Sequence, residues 1–183
     1  IMFSQFSSDP AWLKEVIGIS SEEKEVICTQ NSKYLALSKI VFSRWAQVMY
    51  HFEKEMYSNP DQNLNNLWWK LVKKYQKINK PKNWDNPDWA VKNHIITMPC
   101  SYHNYILGEL FAAQLMFYIK EKITKHDKCE VKCINNPEVG KFLIDKVFRP
   151  GKTLNWKELV KYSTGEELDP DYFKKACVNI ATS

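Results

Sequence analysis

Between Ser20 and Asn59 the chain contains neither glycine nor proline. A run that long without the two strongest chain breakers predicts one long helix. Its apolar residues Ile27, Tyr34, Leu37, Val41, Trp45, Val48 and Phe52 recur at steps of three, four or seven. That spacing predicts a single buried face. Ser20 followed by Glu23 reads as a capping box at the start, and Asn59-Pro60-Asp61 ends the run.

The same punctuation divides the rest. Asp9-Pro10 opens a helix over Ala11 to about Ile17, with proline at the first helical position. A further helix, about Gln62 to Ile78, is expected to bury Leu67, Trp68, Leu71, Val72 and Tyr75. "NKPKNWDNPDW", Asn79 to Trp89, is a loop, followed by a short helical turn. Pro99 disfavours helical geometry at Met98, so the next helix starts near Ser101. From Ile106 to Ile119 it is apolar nearly all round, which predicts burial on most sides. A charged stretch from Lys120 to Cys133 follows. Asn136-Pro137 opens a helix through Phe148, Gly165 ends another, and Asp169-Pro170 begins the last. With only five glycines, the chain reads as all-α, with roughly seven helices.

At 183 residues it fits one domain or a large piece of one. No stretch approaches the ~18 unbroken apolar residues of a membrane span, and no signal-peptide pattern is visible. Five cysteines at irregular spacing are not a disulfide framework, which predicts a reducing, cytoplasmic setting. Ile1, Met2, Phe3 and Phe6 have the spacing of a helix's last turns, ended by Ser7 to Pro10. A helix end without its beginning leads us to expect a fragment lacking an upstream part.

Chemistry is concentrated in "KNHIITMPCSYHNY", Lys92 to Tyr105. If Tyr102 and Tyr105 are helical they share a face. If the segment before them is strand-like, Lys92 and His94 point the same way. Such a group offers a cation and a phenol to a carboxylate, and a phenol and an imidazole to a polarised carbonyl. Buried, satisfied polar groups are an equal reading of these residues. Other candidates are weaker. Among His51, His94, His103 and His126 no H-E-x-x-H occurs, and Cys129 and Cys133 with His126 give only a permissive soft-metal spacing. Cys100 beside His94 or His103 has proximity alone in favour of a thiol pair. Lys70, Lys73, Lys74, Lys77, Lys80 and Lys82 interleave with Trp68, Trp69, Tyr75 and Trp84 as in single-strand platforms. On a helix, however, the two sets separate onto opposite faces, and a net charge of +5 is too weak to imply nucleic acid.

"DWAVKNHIITMPCSYHNYILGELFAAQL", "NPEVGKFLIDKVFRPG", "LVKYSTGEELDPDYF", "FSRWAQVMYHFEKEMYSNPDQNLNNLWWKLVKKYQ" and "SSDPAWLKEVIGI" run in order along nearly the whole chain. They resemble the C-terminal region of angiotensin-converting-enzyme-type zinc metallopeptidases, particularly the bacterial ones. The lysine-x-histidine followed by tyrosine-x-x-tyrosine is the most specific element. The resemblance implies the C-terminal, substrate-binding part of a two-lobed helical fold. It implies an enzyme that hydrolyses peptides near their C-terminus, as a peptidyl-dipeptidase or carboxypeptidase. Zinc in the intact enzyme would be held by H-E-x-x-H and a later glutamate, both in the missing N-terminal part. This chain alone would hold no zinc at that site and would be inactive. By resemblance Tyr105 donates to the oxyanion, Lys92 and Tyr102 grip the substrate's terminal carboxylate, and His94 bonds the backbone beside the scissile bond. Tyr102 lies one residue farther from His94 than in the animal enzyme, which implies a different loop. Asn104 stands where that enzyme has a chloride-binding arginine, which argues against chloride activation. Related alternatives are an oligoendopeptidase-type fragment and a non-catalytic helical module. The partners implied are a peptide and the rest of the same enzyme, with no nucleic acid and no membrane.

Overall fold

A computed structural model describes residues 6–124 and 134–181, with side chains through Val178. The helix end expected over residues 1–5, and the candidate ligands His126, Cys129 and Cys133, lie outside the described residues. Among these the protein is all-α, with no strand. The elements are α1 (Pro10–Trp12), α2 (Ser21–Ser58), α3 (Leu64–Gln76), α4 (Asn93–Ile96), α5 (His103–Tyr118), α6 (Pro137–Leu143), α7 (Trp156–Thr164) and α8 (Pro170–Ala181). α1, α5 and α6 run on into wider π turns at Leu13–Ile17, Ile119–Ile123 and Ile144–Phe148.

Local chemistry sets the ends. Asp9 accepts from the Trp12 N–H at 2.8 Å, and Ser20 and Glu23 bond reciprocally, as a capping box requires. Asn63, Asn136 and Asn155 cap α3, α6 and α7 by the same means. Gly165 closes α7 at φ 83°, a left-handed position that favours glycine. Lys77 ends α3 in the same conformation at φ 63° without that advantage.

The chain divides into two compact units. One is Ser38–Leu107, and the other comprises the chain through Leu37 and from Gly108 onward. The first has a core of Ala46, Val48, Met49 and Phe52 from α2, Trp68, Leu71 and Val72 from α3, and Ile95 and Tyr102. Each large side chain buried there contributes about 1.5–3 kcal/mol. In the second unit Ile119, Val139 and Leu143 form a smaller cluster. There Gln114, fully buried, donates to Thr164 Oγ1 at 2.9 Å and to the Glu167 carbonyl at 3.0 Å, and accepts from the Asp169 N–H at 2.9 Å. One amide side chain thus fixes the connection from α7 to α8.

The predicted face of α2 needs correction. Val48 and Phe52 are buried, but Tyr34, Leu37 and Val41 are 67%, 61% and 46% exposed. Heptad-spaced positions drift by ~20° per heptad on a straight helix, so such a stripe leaves the core side along a helix of this length. The buried positions include Ala36, Lys39, Met49 and Glu53 instead. Tyr75 is half-buried, and on α5 only Ala112 to Leu115 are buried outright. α5 begins at His103, two residues later than Pro99 alone predicts. No helix among the described residues is long and apolar enough to cross a membrane.

Candidate functional site

All four sequence-selected residues lie in the Ser38–Leu107 unit. Lys92 caps α4 with extended backbone, φ −81° and ψ 108°. His94 follows inside that helical turn, so the strand-like alternation expected for the pair does not occur. After α4 the chain turns sharply at Pro99-Cys100, where Cys100 adopts φ 57°. The Cys100 N–H donates to Glu53 Oε1 at 2.8 Å, and Glu53, on α2, is only 4% exposed. This carboxylate pins the turn and delivers Tyr102 to the core just ahead of α5. Tyr102 therefore precedes the helix that carries Tyr105, and its carbonyl accepts the Tyr105 N–H at 3.2 Å.

Three side chains converge. His94 Nε2 and the Tyr105 hydroxyl are 3.0 Å apart, within hydrogen-bond distance. The His94 ring meets Tyr102 at 4.9 Å and Tyr105 at 5.5 Å, both nearly edge-on. The two tyrosine rings are 5.1 Å apart. Phe42 packs against both, at 6.3 and 6.2 Å. Tyr102 is buried, whereas Tyr105 is 41% exposed. Burial raises the Tyr102 pKa above the ordinary phenol value, opposed by a hydrogen bond from Trp45, with the Tyr105 phenol adding to the rise. Tyr102 is thus a neutral donor and acceptor at physiological pH.

Lys92 lies against two tryptophans. Its ammonium is 5.5 Å from the Trp45 ring centroid and 5.8 Å from that of Trp68. These residues line a cavity of about 370 Å³ with Trp69, Trp84 and Asp88. Trp84 Nε1 donates to Asp88 at 2.8 Å, while the buried Trp69 Nε1–H has no acceptor among the described residues. On α3, Lys70, Lys73 and Lys74 are exposed opposite buried Trp68, Leu71 and Val72, the separation expected of a solvated face and a core face.

The remaining candidates are not drawn in. His51 stacks on Tyr75 at 5.3 Å, and burial, then Lys74 and Lys54, lowers its pKa and favours the neutral imidazole. His103 neighbours Tyr50. Among the described residues no three His, Cys, Asp or Glu side chains come together as a metal site.

The profile of the angiotensin-converting enzyme family matches residues 3–173. The chain belongs to the angiotensin-converting enzyme family. Over 72 residues it is 33% identical to thermostable carboxypeptidase 1 of Pyrococcus furiosus. That match covers 39% of this chain and 14% of the relative, so the chain spans a small part of the relative's length. No solved structure matches it.

Sequence reasoning missed three residues packed around this candidate site: Phe42, Trp45 and Glu53. Phe42 and Trp45 are one helical turn apart on α2, a legible signal that they share a face. Nothing local in the sequence signals that Glu53 is buried.

Proposed function

We propose that this chain is the substrate-binding portion of a zinc-dependent peptidase that cuts peptides near their C-terminus, as a peptidyl-dipeptidase or carboxypeptidase. The family, and a relative named a carboxypeptidase, support the peptidase class. The observation that carries the finer reading is the grouping of His94, Tyr102 and Tyr105 around a 3.0 Å imidazole–phenol contact, with the Lys92 ammonium 5.5 Å from the Trp45 ring.

In this reading Lys92 supplies the full charge that a free terminal carboxylate needs, and Tyr102 supplies a neutral hydrogen bond. Tyr105 donates to the oxygen on which negative charge develops as the scissile carbonyl becomes tetrahedral. Such a donor is worth about 3 kcal/mol in comparable sites. His94 holds the Tyr105 hydroxyl and also faces the peptide backbone. Which atom carries the proton between them follows from the imidazole tautomer. The zinc implied by the family finds no ligand set among the described residues, and the sequence contains no H-E-x-x-H. No step is therefore assigned to a metal held by them. The cysteine count, odd and irregularly spaced, supports a cytoplasmic setting.

Calorimetric titration with a blocked tripeptide bearing a free C-terminus, and with its C-terminal amide, tests the reading. The free acid is expected to bind at least about tenfold tighter, with the advantage lost in Lys92→Met. Equal binding of acid and amide would exclude carboxylate recognition and favour an oligoendopeptidase-type site. The chain by itself is expected not to hydrolyse either peptide. Hydrolysis abolished by a chelator would overturn that.

A further inference from the structure

Lys92 helps to line the cavity of about 370 Å³, which lies wholly within the Ser38–Leu107 unit. The walls are mostly apolar and include four indole rings, from Trp45, Trp68, Trp69 and Trp84. Trp68 and Val72 line it and are buried in the core, whereas Ile78, Trp84 and Val91 line it and are exposed. The cavity is therefore backed by the core and opens to solvent through an apolar rim. Apolar surface gathered in a concavity open to water marks a place for a ligand. Its volume is near the lower end of the ~300–1,000 Å³ typical of ligand sites, which suits one large side chain and not a stretch of peptide.

Two charged residues line the same cavity, Lys92 and Asp88. Asp88 accepts from Trp84 Nε1 at 2.8 Å. The Lys92 ammonium lies over the Trp45 and Trp68 rings and has no ion-pair partner among the described residues. A cationic ligand group would meet that ammonium, which already holds the ring faces nearest it. A carboxylate would find an unpaired cation, and an uncharged aromatic group would find indole rings to pack on. We propose that this cavity receives the side chain of the peptide's last residue while Lys92 holds that residue's carboxylate. The site then prefers peptides ending in a large aromatic or apolar residue. Carboxylate and side chain leave the same carbon atom, so a single residue can reach both. This preference rests on the role proposed above for Lys92 and asks nothing of Tyr102.

Calorimetry with blocked tripeptides ending in phenylalanine or alanine, each as free acid and as amide, gives the readout. The phenylalanine acid is expected to bind about tenfold or more tighter than the alanine acid, the worth of burying one aromatic side chain. Trp84→Ala removes a ring from the exposed rim and should cut that advantage at least about threefold, with the alanine acid unchanged. Equal binding of the two acids, both tighter than their amides, overturns the preference and leaves the carboxylate reading standing. An advantage that survives Trp84→Ala, or a loss shared equally by both acids, also overturns it. If neither acid binds tighter than its amide, the carboxylate reading and the preference fall together.

A second variant covers a Trp84→Ala chain that fails to fold. Ile78 is exposed and follows the end of α3, so Ile78→Ala leaves the core intact while removing apolar surface from the rim. It should weaken the phenylalanine acid and not the alanine acid, and an unchanged ratio overturns the preference. A third peptide tests the sign of the charge in the unaltered chain. An arginine-ended acid should bind no tighter than the alanine acid, and tighter binding would give the cavity to a cation on Asp88 and overturn the proposal.

Discussion

The turn at Pro99-Cys100 joins the helix bearing His94 to the tyrosines, and its anchor can be removed by changing Glu53. Glu53 Oε1 accepts the Cys100 N–H at 2.8 Å from a side chain that is 4% exposed. A hydrogen bond to a charged acceptor contributes about 1.5–3 kcal/mol. Glu53→Ala removes it and leaves a small void, so a loss of about 2 kcal/mol is expected. Glu53→Gln keeps an oxygen acceptor of the same shape and should cost about 1 kcal/mol, the difference between a charged and a neutral acceptor. Cys100→Gly provides a check of opposite sign. It retains the N–H while relieving a non-glycine residue at φ 57°, and should stabilise by about 1 kcal/mol. Urea unfolding measures all three. Exchange of the Cys100 amide proton should accelerate in Glu53→Ala and stay protected in Cys100→Gly. Should both Glu53 variants match or exceed the parent stability with that amide still protected, the buried carboxylate is not the anchor and the account of the turn is wrong.

On the proposed role, Tyr105→Phe in an intact enzyme that contains this chain should lower kcat by about two orders of magnitude with little change in KM, because the donor would act where charge develops. Steady-state kinetics on a free-acid peptide reads the split, and a KM effect alone would contradict the role. Gln114→Leu removes the donor to the Thr164 hydroxyl and leaves the Glu167 carbonyl and the Asp169 N–H without their Gln114 bonds, and should cost about 3 kcal/mol in urea unfolding. Tyr172 donates to Glu166 at 2.5 Å, and that carboxylate pushes the phenol up from 10.0 to about 12. A raised phenol value binds its proton more tightly in the folded state. Its contribution is therefore full below pH 10.0 and lost as pH rises through about 12. Ultraviolet titration should show one late-titrating tyrosine that returns to the ordinary range in Glu166→Gln.

The sequence by itself determined the helices and most of their ends. Asp9-Pro10, Ser20 with Glu23, Asn136-Pro137 and Gly165 act on backbone groups within a turn of themselves, so their effect is readable without knowing the fold. The candidate residues Lys92, His94, Tyr102 and Tyr105 were also visible, because they lie within fourteen positions of one another. Periodicity, by contrast, says which residues share a face and not what covers it. The exposure of Tyr34, Leu37 and Val41 depends on which elements pack on each stretch of α2. Tertiary structure alone decided that His94 sits in a helical turn and that Tyr102 stands outside the helix of Tyr105. It alone brought Phe42, Trp45 and Glu53 to that segment across 47 or more positions of chain, 47 being the Glu53–Cys100 separation. Capping is short-ranged and is written beside the groups it serves. A site assembled from three helices and a turn depends on packing, and packing is a property of the whole unit.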